Sequence, residues 1–332
     1  MSLPERLGRL QRVDRIGAGG FATVWLYRDA ELRSDVAVKA LADNWAQRFD
    51  MRERFLEEAR ILRQADSDHI VRVYDIGEVD GTPYFVMTYA DLGSLSTLLR
   101  DGVPLPPARV VDLITQAGSG LAVLHEQGVV HRDVKPQNLL LRSGGSAGDR
   151  LLVADLGVAK ALLHASGLTQ VVGTPAYMAP EQATGGGIDV RADVHALAAV
   201  AYQMLTGHLV RTGGVSELSD AVLPPAPSTL ADLPAAVDDV LLRGLEPDRE
   251  HRWPDVGSFV TALRGAAPEN RPADEGEPTR WQSSRTVLEP PGPPVPTPRS
   301  SKAGSRAVWT LVVLLVFAAA FGAAYAGTLM LR

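Results

Sequence analysis

The chain has 332 residues, 45% hydrophobic and 22% charged, an ordinary globular composition with length for one large domain or two small ones. A formal net charge of -6 offers no strong basic field and argues against nucleic acid as a partner, and the absence of cysteine excludes disulfides, thiolate zinc sites and thiol nucleophiles. The seven histidines are scattered, with no HExxH-like spacing.

The N-terminal MSLPERLGRL carries no apolar run behind its charges, so no secretory signal is expected and the bulk of the chain should stay in the cytosol. Residues 12–40 and 70–90 favour strands, at Thr23–Tyr27, Val36–Val38, Ile70–Tyr74 and Tyr84–Met87. Between them, Phe49 to Gln64 has helical spacing at Phe55, Ala59 and Leu62. Beyond residue 92 helices dominate. Apolar stripes run through Val110, Leu113, Ile114, Ala117, Leu121 and Leu124, through Val194, Leu197, Ala201, Met204 and Leu205, and through Val256, Phe259, Val260 and Leu263. Strands first and helices later predict an α+β fold with two lobes, β-rich then helical. There is no internal repeat.

Composition changes after about residue 266. Residues 267–306 are rich in Pro, Ser, Arg and Glu and are expected to form a disordered linker, semi-rigid around the run Pro290–Pro296. Residues 307–331 carry no charge and are long enough, at ~1.5 Å per residue, for a helix to span a hydrocarbon core of about 30 Å. Arg299, Lys302 and Arg306 precede this segment and place its N-terminal side in the cytosol, with the C-terminus outside and Arg332 snorkelling to the far headgroups. The expected organisation is a folded domain at 1–266, facing the cytosol, anchored in the lipid bilayer of the cell membrane by a single span with no folded domain beyond it.

Two constellations carry chemistry. Ile16, Gly17, Ala18, Gly19, Gly20, Phe21, Ala22, Thr23 and Val24 form a Gly-rich turn between strand-like segments, where backbone N–H groups can approach phosphate oxygens. Strand rather than helix follows it, unlike a dinucleotide fingerprint. Lys39 ends the strand Val36–Val38 and could hold phosphates, given a carboxylate to position it. Glu57 and Glu58, adjacent on the following helix, are equally placed by spacing. The second constellation is His131-Arg132-Asp133-Val134-Lys135-Pro136-Gln137-Asn138, read as a short loop after an apolar strand at Val129-Val130, and then Asp155, 17 residues beyond Asn138. Asp133 suits the orientation and deprotonation of a hydroxyl, Asn138 and Asp155 suit oxygen ligation of a metal, and Lys135 can neutralise a moving phosphoryl group.

The order of glycine loop, VAVK, HRDVKPQN, DLG and Ala179-Pro180-Glu181 resembles the protein-kinase signature set, and most closely the bacterial eukaryotic-type serine/threonine kinases, many of them single-span membrane proteins. The resemblance runs from about Val13 to Leu263. It implies a bilobal protein-kinase fold, ATP and magnesium (or manganese) as cofactors, protein serine or threonine hydroxyls as acceptors, and autophosphorylation. It favours Glu58 as the partner of Lys39, Met87 as gatekeeper and Thr88 to Ala90 as the adenine-binding hinge. Asp193 resembles the residue that holds the catalytic loop, and Arg252 the partner of Glu181. Lys135 has the serine/threonine-kinase form. Three positions depart from the pattern without removing a chemical group: Leu156 for phenylalanine, Ala22 for the third glycine and Ala198 for a frequent glycine.

Arg132 before Asp133 resembles kinases switched on by phosphorylation, with Thr169 and then Ser166 as candidate phosphosites and Thr174 structural. Thr279, Ser283, Thr286 and Thr297 are further acceptors in the linker. Small residues at Ala318, Gly322 and Ala326, and at Ala319, Ala323 and Gly327, would allow two spans to pack as a dimer.

Overall fold

β-Branched and aromatic residues at alternate positions dictate a sheet near the N-terminus. The computed structural model, which describes residues 3–144, 148–157, 175–184, 186–213 and 222–267, has it there. Strands β1 (Arg6–Leu7), β2 (Leu10–Ala18), β3 (Ala22–Asp29), β4 (Ser34–Leu41), β5 (Val73–Val79) and β6 (Thr82–Thr88) form one antiparallel sheet in the order β1-β2-β3-β4-β6-β5. The register sets Lys39 of β4 opposite Val24 of β3 and Phe85 of β6. A four-residue helix, α1 (Asp43–Ala46), leads to α2 (Phe49–Gln64), which buries Met51, Phe55, Ala59 and Leu62 against the sheet. The Phe55 and Phe85 rings lie 5.0 Å apart. Leu3, Tyr27, Val38, Ala40 and Val86 make a separate small cluster, closed by the Tyr27 hydroxyl donating to the Pro4 carbonyl at 2.6 Å.

The helical lobe follows: α3 (Leu95–Leu98), α4 (Pro107–Glu126), the hairpin β7 (Leu139–Ser143) with β8 (Asp149–Val153), α5 (Pro180–Thr184), α6 (Arg191–Thr206), α7 (Ala235–Gly244) and α8 (Val256–Ala266). The predicted stripes of α4 and α8 are buried. The stripe of α6 is buried too, but so is every other residue from Ala192 to Thr206 except Gln203, because this helix is enclosed by its neighbours rather than laid on a surface.

Two expected strands are corrected. The segment Ile70–Tyr74 is not the strand; β5 begins at Val73 and continues to Val79. Ile70 and Val71 are apolar because they seal the junction with β8, where the Val71 N–H donates to the Val153 carbonyl at 2.9 Å. Gly77 disguises the true strand as a turn, yet it lies under the Tyr84 ring of the neighbouring strand, where an added Cβ would come within 2.5 Å of the ring's far end and push it aside. Nor do Val129 and Val130 form a strand. The Val129 N–H donates to the Leu124 carbonyl at 2.9 Å, closing the end of α4, and the chain then runs straight into the loop.

Among the described residues no helix is long and apolar enough to cross a membrane. The linker from Pro268, the span at 307–331 with its small-residue faces, and Ser166, Thr169 and Thr174 lie outside the described residues.

Candidate active site

Strand alternation turns Lys39 into the space between sheet and α2, where it is 8% exposed. Its ammonium donates to Glu58 Oε1 and to Asp155 Oδ1, each at 2.8 Å, and lies 5.6 Å from the centre of the Phe85 ring. Of the two adjacent glutamates, Glu58 is the buried one. Glu57 is exposed and pairs with Arg60 at 3.1 Å. Burial opposes the charge on Lys39, but Asp155 and Glu58 outweigh it and raise its pKa, so the ammonium form is held. Burial likewise pushes the Asp155 carboxyl up, and Lys39, with Lys135 behind it, more than reverses this, leaving it below the usual carboxylate range. For Glu58, burial prevails over Lys39 and the pKa is raised.

The loop from His131 to Asn138 is hung from a buried carboxylate. Asp193, on α6, accepts the N–H of His131 at 2.7 Å, the N–H of Arg132 at 2.8 Å and the Nε2–H of His125 at 2.8 Å. Arg132 is held in the left-handed region at φ +65°, a conformation that costs a non-glycine residue roughly 1–3 kcal/mol and persists where surrounding bonds dictate it. Here they do, since the Gln182 side chain also donates to the Arg132 carbonyl at 2.8 Å. His131 accepts the Asp133 N–H on Nδ1 at 3.3 Å, so Nε2 carries the proton and donates to the Ala154 carbonyl at 3.0 Å. Asp155 is also left-handed, at φ +56°. Gly157 then donates to the His131 carbonyl at 2.9 Å, and a Cβ there would meet that carbonyl oxygen at 3.0 Å and Asp133 Cβ at 3.2 Å. The glycine of the DLG motif thus lets the Asp155 segment close on the loop from His131 to Asn138.

The side chains of this loop converge. Lys135 Nζ reaches Asp133 Oδ2 at 3.0 Å, and Asn138 Nδ2 donates to Asp133 Oδ2 at 2.8 Å and to the Asp133 carbonyl at 2.8 Å, with the Asp155 carbonyl 3.4 Å away. With its amide nitrogen so used, Asn138 has its amide oxygen to offer a cation. Among the described residues there is no cluster of three or more His, Cys, Asp or Glu fit to hold a metal. One amide oxygen and one carboxylate instead suit magnesium, which retains waters and takes phosphate oxygens. The glycine loop fits a phosphate ligand as well: Gly19 and Gly20 have no positive φ, and a Cβ on Gly20 would meet nothing within 4 Å, so no contact inside the protein demands glycine. At the segment whose resemblance implies a hinge, the Thr88 N–H is already donated to the Arg72 carbonyl at 3.0 Å.

Beside Asp133 lies the segment that ends in Ala179-Pro180-Glu181. Arg252 grips Glu181 through two bonds of 2.7 and 2.8 Å and is wholly buried. A small pocket between the loop and this segment is lined by Asp133, Lys135, Tyr177, Met178 and Gln182. Several residues here have no signal in the sequence reading. Gln182 follows the Ala179-Pro180-Glu181 motif with no role of its own, and His125 looks like any helix-end histidine. Arg211, which donates to the Met178 carbonyl at 3.0 Å and to His195 Nε2 at 3.1 Å, is distant from every motif.

With this geometry in hand, similarity to known proteins is informative. Residues 10–222 match the protein kinase domain family. The chain is 36% identical to serine/threonine-protein kinase Pkn1 of Myxococcus xanthus over 80% of this chain and 39% of that protein, and 35% identical to PknJ of Mycobacterium tuberculosis over 77% and 45%. It therefore spans less than half the length of these relatives. Among solved structures it resembles the PknI kinase domain of Mycobacterium tuberculosis, with 27% identity and a TM-score of 0.64, over 80% of this chain and 100% of that domain. The chain belongs to the protein kinase family, with a catalytic domain of the bacterial serine/threonine type.

Proposed function

We propose that the chain transfers the γ-phosphoryl group of ATP to serine and threonine hydroxyls of proteins, itself included, at the cytoplasmic face of a membrane. The observation that carries the reading is the continuous bonded set Glu58–Lys39–Asp155 and Asn138–Asp133–Lys135, contributed by both lobes. In this reading Lys39, fixed by Glu58, holds phosphate oxygens. The carboxylate of Asp133 accepts the acceptor hydroxyl's hydrogen bond and takes its proton as the oxygen bonds to phosphorus. Lys135, 3.0 Å from Asp133, offsets the charge of the transferring group. A bound magnesium ion, held by Asn138 and Asp155, would neutralise phosphate charge. The Gly-rich loop from Ile16 to Val24 covers the phosphates, and the hinge at Thr88 and Ala90 receives the adenine.

The membrane part rests on the uncharged stretch at 307–331 and the basic residues before it. Its check is recovery of the full chain in the membrane fraction after alkaline carbonate washing; release into the wash would remove it. The catalytic part is tested by phosphate incorporation from labelled ATP with magnesium, comparing the full chain with Asp133→Asn. Loss of general-base help predicts a rate about 10²–10⁴ lower in the variant. Equal incorporation by both would overturn the assignment. ATP binding without transfer in either would point to a scaffold. Labelled positions in the wild type would show whether Thr169 or Ser166 is used.

A further inference from the structure

We propose that Trp45 is a positioning residue for the nucleotide, tying the tip of the Gly-rich loop to the helix that carries Glu58. The inference rests on the kinase reading above, and it concerns a residue outside every motif of the sequence.

The loop turns over between β2 and β3, where the Gly19 N–H donates to the Ala22 carbonyl at 2.9 Å. Two successive carbonyls at its tip are then taken by the connection between β4 and α2. The Ala42 N–H donates to the Phe21 carbonyl at 2.9 Å, and the indole Nε1–H of Trp45 donates to the Gly20 carbonyl at 2.7 Å. The Phe21 and Trp45 rings pack with centroids 5.4 Å apart and an interplanar angle of 31°. This contact orients a peptide. The described chain has no cis peptide bonds, and in a trans peptide the C=O and N–H point opposite ways. A Gly20 carbonyl turned to Trp45 therefore turns the Phe21 N–H away from α1. The glycines leave this tip free to rotate, so a fixed partner for one carbonyl removes freedom that nucleotide binding would otherwise have to remove.

The indole also reaches α2. The Arg48 guanidinium lies 5.6 Å from the centre of a Trp45 ring and pairs with Asp50, in the first turn of α2, through bonds of 3.2 and 2.7 Å. Two turns further on, the same helix presents Glu58 to Lys39. Loop tip, indole, Arg48 and α2 are thus contiguous, so the covering loop and the ammonium that it covers are set by one short segment.

The test compares the full chain with Trp45→Phe and Trp45→Ala. Trp45→Phe keeps a ring against Phe21 and removes only the N–H donor, which makes it the milder change to the fold. Initial rates of phosphate transfer to casein are measured against ATP at saturating casein, then against casein at saturating ATP. Binding of the non-hydrolysable analogue AMP-PNP with magnesium is measured separately by calorimetry. Loss of one hydrogen bond predicts about a 2–10-fold rise in the ATP KM and in the AMP-PNP Kd for Trp45→Phe. Loss of the ring pair predicts roughly a further 2–10-fold for Trp45→Ala. The casein KM should stay within about twofold for Trp45→Phe, since a net hydrogen bond is all that this variant removes and it is made to the Gly-rich loop. An active wild type with unchanged ATP KM and AMP-PNP Kd in both variants overturns the proposal. So does a fall in kcat alone that follows the loss of folded protein, since that marks a merely structural side chain. If the wild type neither binds the analogue nor transfers phosphate, the kinase reading falls and the tie falls with it.

Discussion

Among the described residues, two buried cations, Arg252 and Lys39, hold carboxylates by opposite rules. Arg252 has five N–H groups and uses all of them: two on Glu181, and one each on the carbonyls of Arg191, Glu246 and Pro247. Its side chain is fully buried and that of Glu181 is 10% exposed. Nothing is left over for a ligand. Lys39 is nearly as buried, but it shares itself between Glu58 and Asp155, and the Asp155 side chain remains 44% exposed. Asp155 receives Lys39 on Oδ1, and its Oδ2 accepts no hydrogen bond among the described residues. The contrast separates architecture from site. A closed, fully satisfied charge cluster holds a fold together, whereas an ion pair with one open member is arranged for something that has yet to bind.

The sharpest way to break this comparison is to remove each cation. Arg252→Met leaves Glu181 buried without its partner, which should cost about 3–5 kcal/mol of stability in urea unfolding. The surviving folded molecules should keep their ATP KM. Replacing the pair together, Glu181→Leu with Arg252→Met, should recover much of that loss, because an apolar pair needs no desolvated charge. Lys39→Met should do the reverse. Transfer should fall roughly 10²–10³-fold, the usual cost of losing one preorganised electrostatic group. Stability should fall less than in Arg252→Met, since Asp155 is open to water and Glu58, already pushed up by burial, can take a proton. Equal destabilisation by the two substitutions, or loss of transfer by folded Arg252→Met, would erase the distinction.

What the sequence makes legible follows the same division. Period-two and helical patterns gave the sheet, the limits of α2 at Phe49 and Gln64, and the buried faces of α4 and α8, because burial of one face imposes a period. Local motifs singled out Lys39, Asp133, Asn138 and Asp155, because phosphoryl transfer restricts residue type at fixed places, while Asp193 and Arg252 came from the resemblance to protein kinases, and the structure bonds them to the loop backbone and to Glu181. Spacing alone could not choose between Glu57 and Glu58, since adjacent positions on a helix are separated only by knowing which side the sheet covers. The register of β5 was hidden because Gly77 answers to the Tyr84 ring on the neighbouring strand. His125 and Trp45 were invisible for a related reason: each acts through one long-range hydrogen bond, to Asp193 and to the Gly20 carbonyl, and no local pattern records such a bond.

The smallest expected effect probes the closed region by pH. His195, on α6, is fully buried, with the Arg211 Nη2 3.1 Å from its Nε2 and no partner for its Nδ1 among the described residues. Burial first, and then the nearby guanidiniums of Arg252 and Arg211, hold its pKa well below 6.5. The folded ring is therefore neutral at pH values where the ring of an unfolded chain titrates, near ~6.5. Below that pH the unfolded chain binds a proton that the folded chain refuses, so stability falls as pH falls. Above it both forms are neutral and the term vanishes. One pH unit below ~6.5 the loss should be about 1.4 kcal/mol from this ring. The measurement is urea unfolding at pH 7.5 and 5.5, for the wild type and for His195→Gln, which keeps an acceptor for Arg211. The variant should lose less stability than the wild type between the two pH values, by about that amount. Identical losses would mean that the folded ring accepts a proton between two arginines. The cluster around Arg252 would then be open to water or to an unseen carboxylate, and its contrast with the Lys39 cluster would fail on the side where it is drawn most firmly.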